Sequence, residues 1–141
     1  MNYLLDTCVI SELAKPVPEA RVVEWIRSCD EDRLFLSVLT LGEIQKGISR
    51  LADGKRKNAI QRWLDGELRV RFEGRILPID EEVALGWGLM QGEAEAKGRR
   101  VPALDGLIAA TALVHQCTVA TRNTADVEPT GARVFNPWER L

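Results

Sequence analysis

Four carboxylates, Asp6, Glu43, Asp105 and Asp126, are the residues of this chain best able to do chemistry together. Asp6 ends the apolar run Tyr3-Leu4-Leu5, and Asp126 lies in the loop after a later apolar segment. Glu43 and Asp105 fall near the starts of expected helices. Ligand sites of open α/β sheets lie beyond the carboxyl ends of the strands, so four acids from distant parts of the chain can meet there. Converging carboxylates repel one another and hold protons more tightly unless a cation compensates. A hard divalent ion such as Mg²⁺ does so with oxygen ligands alone. Bound metal lowers the pKa of a water and stabilises charge on a phosphoryl group, and two ions about 3.5–4 Å apart clamp both the attacking and the leaving oxygen.

Each acid also has a purely structural reading. Asp6 can be a turn or cap residue. Glu43 can be the capping-box partner of Thr40, three residues before it. Asp105 can be a first-turn acid that complements a helix dipole, and Asp126 an ordinary loop acid. Spacing alone leaves these alternatives open.

Composition narrows the other chemistries. The single histidine, His115, rules out a zinc hydrolase with two or three histidine ligands from one chain. Three widely spaced cysteines, Cys8, Cys29 and Cys117, with no CxxC pair, argue against a disulfide framework or structural zinc. A net charge of −2 gives no general pull on nucleic acid, so any such role must come from a site. The amino terminus lacks the basic region of an ordinary signal peptide. No run of about 18 apolar residues is present, so no membrane span is expected and a cytoplasmic protein fits best.

The acids need a scaffold, and the pattern supplies one. Tyr3–Leu5, Leu34–Val38, Arg75–Ile79, Thr118–Thr121 and Arg133–Phe135 read as five strands. Helices are expected over about Val9–Ala14, from Pro18 in a first turn to Arg27, and from a Thr40 cap to Gly54. A basic helix follows over about Lys55–Phe72, with a break at Gly66. Another starts at the N-cap Asp80 and runs to Lys97, before a C′ Gly98, and the last spans Ala103–His115. Alternating strands and helices predict an α/β fold with a mainly parallel sheet, and one domain over residues 1–141.

The same residues carry a family resemblance that spans almost the whole chain. Leu4-Leu5-Asp6-Thr7-Cys8-Val9-Ile10-Ser11-Glu12-Leu13 resembles the opening motif of PIN-domain nucleases, in particular VapC-type toxins. Ser37 to Ile44, Asp105 to Ala112, and Val119 to Asp126 match the later motifs in the correct order. Val134-Phe135-Asn136-Pro137-Trp138 is similar to the FitB branch. The resemblance implies a three-layer α/β/α PIN fold and an Mg²⁺-dependent endoribonuclease, with Mn²⁺ as a substitute. It also implies a homodimer and a cognate antitoxin, which would fill a groove and block the acidic site. By resemblance Asp6, Glu43 and Asp105 take the three main acidic positions. For the fourth, the family places an acid either where Asn123 or where Asp126 stands; only Asp126 is acidic here and is preferred, with Asn123 orienting a ligand or water, and Thr7 and Thr121 support the site. Cys8 stands where the family usually has Asn.

Two rival functions fit these residues less well. A phosphotransfer enzyme with Asp6 as nucleophile would want a second Asp at position 8, where Cys8 stands. A non-catalytic binding module would have no need of four acids. The basic clusters Lys55-Arg56-Lys57, Arg69-Arg71 and Lys97-Arg99-Arg100 read equally as RNA phosphate contacts and as solvated faces. Trp25, Trp63 and Trp87 are expected in cores or at a subunit contact, and His115 at a helix end.

Overall fold

The computed structural model describes residues 1–139. Five parallel strands form one sheet in the order β3-β2-β1-β4-β5. They are β1 (Asn2–Leu5), β2 (Leu34–Ser37), β3 (Ile76–Leu77), β4 (Cys117–Ala120) and β5 (Val134–Phe135). β1 lies at the centre, with Leu5 opposite Ala120 of β4 and Leu4 opposite Phe35 of β2.

Alternation along these strands separates two apolar layers. Leu5, Leu34, Leu36 and Ala120 point into one core. It is filled by α1 (Thr7–Leu13), α2 (Ala20–Ser28) and α3 (Val38–Ser49), through Val9, Ile10, Val22, Trp25, Ile44 and Ile48. Leu4, Cys117 and Val119 face the other core, against Met90 of α6 (Glu81–Ala96) and Ile108, Ala109 and Ala112 of α7 (Ala103–Val114). The fold is therefore the expected three-layer α/β/α sandwich. α4 (Lys55–Arg62) and the one-turn α5 (Arg69–Arg71) lie between α3 and β3, and the short α8 (Thr124–Val127) follows β4.

Several local expectations are corrected. Thr40 does not cap α3: Ser37 does, its hydroxyl accepting from Leu39 N at 3.0 Å. The helix thus begins earlier, and Thr40 is fully buried inside it. Pro18 stays outside α2, which starts at Ala20 behind Glu19. Gly66 does not break the basic segment. Trp63–Leu68 continues it as a wider π-type turn, burying Leu64 and Leu68. The third strand keeps only two of its expected residues. The tryptophans behave as expected of packing residues. Trp25 stacks near Tyr3 and Phe135, Trp63 packs on the first core and Trp87 on the second. His115 closes α7 through its backbone, while its Nε2 is buried without a partner among the described residues.

Candidate active site

The direction of strand order reverses at β1: β2 and β3 extend to one side, β4 and β5 to the other. This is the switch point where α/β sheets open a crevice. Asp6 follows β1 there, and Thr121 follows β4. The ladder runs on one step into the site, with Asp6 N donating to Ala120 O at 3.0 Å and Thr121 N to Phe135 O at 3.0 Å.

Asp6 is 9% exposed and held by a set of donors. As N-cap of α1 it accepts from Thr7 N at 2.9 Å on Oδ1. Its Oδ2 accepts from the fully buried Thr121 hydroxyl at 2.8 Å and from the Cys8 thiol at 3.8 Å. The Cys8 sulfur in turn accepts from Arg122 N at 3.5 Å. Burial pushes the Cys8 thiol up despite that amide, and the nearby Asp6 charge adds to the rise. A protonated thiol can donate to Asp6, although as a weak donor.

Glu43 is placed by a second hydroxyl. Thr7 Oγ1 donates to Glu43 Oε1 at 2.6 Å, with Thr40 Oγ1 3.3 Å from the same oxygen of Thr7. Because α3 begins at Val38, Thr40 and Glu43 sit three residues apart on one helix face, turned toward α1. The capping-box reading of Glu43 is thereby replaced by a side-chain bridge between α1 and α3.

Asp105 lies in the first turn of α7, half-buried. Its carboxyl is pushed above the ordinary aspartate range, first by burial and then by the charges of Asp6, Asp126 and Glu43. Asp6, Asp126 and Glu43 therefore all lie within electrostatic range of Asp105. Among the described residues, however, no three acidic, histidine or cysteine side chains are gathered into a closed ligand set. Asp126 is exposed in the first turn of α8. Asn123 enters through its backbone, its N donating to Thr121 Oγ1 at 3.0 Å. The donor set is all carboxylate and mutually repulsive, which fits a hard divalent cation.

Two neighbours were not anticipated. Glu12 is a buried carboxylate of α1, paired with Lys15 at 2.9 Å and accepting from Glu19 N at 3.0 Å. Lys15 first, then that amide, holds it below the usual glutamate range. Arg122 lies with its guanidinium 5.2 Å from the Trp138 ring centre. An ion pair at i,i+3 was visible in Glu12 and Lys15, but nothing in the sequence marked that carboxylate as buried.

The profile of the PIN domain matches residues 3–126. The chain belongs to the PIN-domain family. Among its relatives, the toxin FitB of Neisseria gonorrhoeae is 43% identical over 135 residues, covering 96% of this chain and 97% of FitB. The VapC ribonuclease Y4jK of Sinorhizobium fredii is 38% identical over 136 residues, covering 96% and 97%. A solved structure of FitAB bound to an IR36 DNA fragment contains a chain that superposes with a TM-score of 0.93 at 41% identity, covering 99% of this chain and 97% of that one. The PIN assignment and the parallel five-stranded sandwich drawn from the sequence thus hold.

Proposed function

We propose that this chain is a divalent-metal-dependent endoribonuclease and the toxin of a toxin–antitoxin pair, acting in the cytoplasm as a single PIN domain over residues 1–141. The observation that carries this reading is Asp105, a half-buried carboxyl loaded by three further acids at the switch point of the sheet. Relatives named a toxin and a ribonuclease support the substrate class.

Asp6, Glu43, Asp105 and Asp126 would hold Mg²⁺, with Mn²⁺ as a substitute. The cation supplies a more acidic water and neutralises charge on the scissile phosphate. The protein's own part is placement. Thr121, Cys8 and the Thr7 amide fix both oxygens of Asp6, and the Thr7 hydroxyl fixes Glu43. Asp126 takes the fourth acidic position because its charge reaches Asp105, whereas Asn123 acts on the site through Thr121. A homodimer and an antitoxin that covers the acids complete this reading.

Asp6→Asn and Asp105→Asn should each lower Mg²⁺-dependent cleavage of single-stranded RNA by at least about 10²-fold, the scale for losing one charge-stabilising group. Circular dichroism and gel filtration should show both variants folded. Cleavage that survives in both would overturn the assignment.

A further inference from the structure

Between α6 and α7 the chain places three cations in four residues, Lys97, Arg99 and Arg100, around Gly98. The loop is tied down on both sides of the arginines. Gly98 takes φ +70°, a left-handed conformation that glycine adopts without steric cost. Arg99 N donates to Ala94 O at 2.8 Å. Beyond the pair, Val101 is buried and its carbonyl accepts from Gln91 Nε2 at 3.0 Å. Arg99 and Arg100 are exposed between these anchors and line an open cleft of about 430 Å³ with Gln91, Glu95, Gly98 and Val101.

The chain runs from this cleft directly into α7: Val101, on its lining, lies four residues before Asp105. Pro102 caps α7, its carbonyl accepting from Gly106 N at 2.9 Å, and Asp105 lies within that first turn. Gln91 Oε1 and Trp87 Nε1 are buried and unpartnered among the described residues. They stand 2.9 and 3.0 Å from where a Cβ on Gly106 would lie, directly behind Asp105 in sequence.

Among the described residues, each of the first two basic clusters has one charge already paired, at Lys57 and at Arg71, while Lys55, Arg56 and Arg69 make no ion pair; the third cluster has none paired. Arg71 and Arg75 both clamp Glu31, and Lys57 reaches Asp53 at 3.3 Å. Among the described residues, Lys97, Arg99 and Arg100 make no ion pair and no side-chain hydrogen bond. The one carboxylate lining the cleft, Glu95, instead accepts from Gln91 Nε2 at 3.2 Å. An arginine already in an ion pair must give up that partner to bind phosphate, and an unpaired one need not. A chain of net charge −2 with acids at its centre also needs local cations to hold a polyanion beside them.

We propose that the α6–α7 cleft is the phosphate-binding groove for single-stranded RNA, with Arg99 and Arg100 each on a backbone phosphate and the strand led toward Asp105. The assignment rests on the nuclease reading above.

The test measures binding of a short fluorescein-labelled single-stranded RNA by anisotropy over a range of salt, using the cleavage-deficient Asp6→Asn chain. Adding Arg99→Gln and Arg100→Gln should weaken binding by about tenfold at low salt and reduce the log–log salt slope by roughly 1.4, near 0.7 per phosphate. Arg99→Lys with Arg100→Lys should keep most of that slope, since the point charge remains. Lys55→Gln with Arg56→Gln, on α4, should leave the slope unchanged. In the active chain the double glutamine variant should raise KM and spare kcat. Unchanged affinity and slope in that variant would overturn the groove. If the unaltered chain cleaves RNA in that case, the groove alone is lost; if it cleaves no RNA in Mg²⁺, the nuclease reading falls and takes the groove with it.

Discussion

The Asp6 charge acts on Asp105, yet the two carboxyls are held in opposite ways. Asp6 is buried and both its oxygens are occupied, by the Thr7 amide, the Thr121 hydroxyl and the Cys8 thiol. Asp105 has no such donors among the described residues, and its carboxyl is pushed up by burial and by the other three acids. One side of the crevice is built by hydrogen bonds during folding. The other is left electrostatically unsatisfied, so a bound cation would act most strongly there. Rigid placement and stored repulsion are separate properties, and this site assigns them to different strands and helices.

The contrast breaks most readily at Thr121. Thr121→Val keeps shape but leaves Asp6 Oδ2 and Asn123 N each short of a partner. It should lower Mg²⁺ affinity about 10–100-fold, as loss of a group that orients a metal ligand does. The buried polar groups left unmatched should cost about 1–3 kcal/mol of stability. A Mg²⁺ titration of Tm reads both, and an affinity equal to the parent's would show that Asp6 does not depend on Thr121.

Asp105 tests the other side through pH. A carboxyl whose folded-state pKa lies above its unfolded value favours the folded state while protonated. That contribution is lost as pH rises from the ordinary aspartate range through Asp105's raised value. Without metal, Asp105→Asn should therefore gain stability relative to the parent at neutral pH, and the gap should close as pH falls. Mg²⁺ should raise Tm in the parent more than in the variant. Glu12 works in the opposite sense, because its lowered pKa makes its contribution disappear as pH falls. The parent-minus-variant difference removes that background. A difference that does not vary with pH would end the account of Asp105 as the strained acid.

The smallest effect is expected at Cys8. Its thiol lies 3.8 Å from Asp6 Oδ2, a weaker contact than the hydroxyl at 2.8 Å. Cys8→Ala should lower Mg²⁺ affinity by about tenfold or less, at or below the bottom of the range for such supporting groups. A loss as large as that of Thr121→Val would place the two donors on equal footing and blur the division drawn here.

Much of this arrangement was legible because it depends on position along the chain. Asp6 stands out since an acid directly after a buried apolar run must lie at a strand end. Asp105 stands out since it opens an apolar helix. What escaped depends on where helices start and on contacts made across space. Thr40 and Ser37 are both good caps, and local preference does not choose between them. Only the end of β2 does, and that choice turned Glu43 toward Thr7. The basic clusters look alike in sequence, yet Glu31 takes up Arg71 and Arg75 from 40 and 44 residues away. Composition carries no record of such pairings. The PIN resemblance pointed to the acids more firmly than their spacing did, but it could not show how Cys8 would be used.

The bond from Thr121 to Asp6 spans 115 residues. It has a consequence for the order in which the molecule comes into being. As the chain leaves the ribosome, Asp6, Thr7 and Glu43 emerge early, but β1 then has only β2 beside it. β4, which lies on the other side of β1, arrives late together with Thr121 and Asp126, and closing so long a loop is a slow step. A nascent or prematurely terminated chain that stops before Cys117 is therefore expected to hold Asp6, Glu43 and Asp105 without the strand and the hydroxyl that fix Asp6.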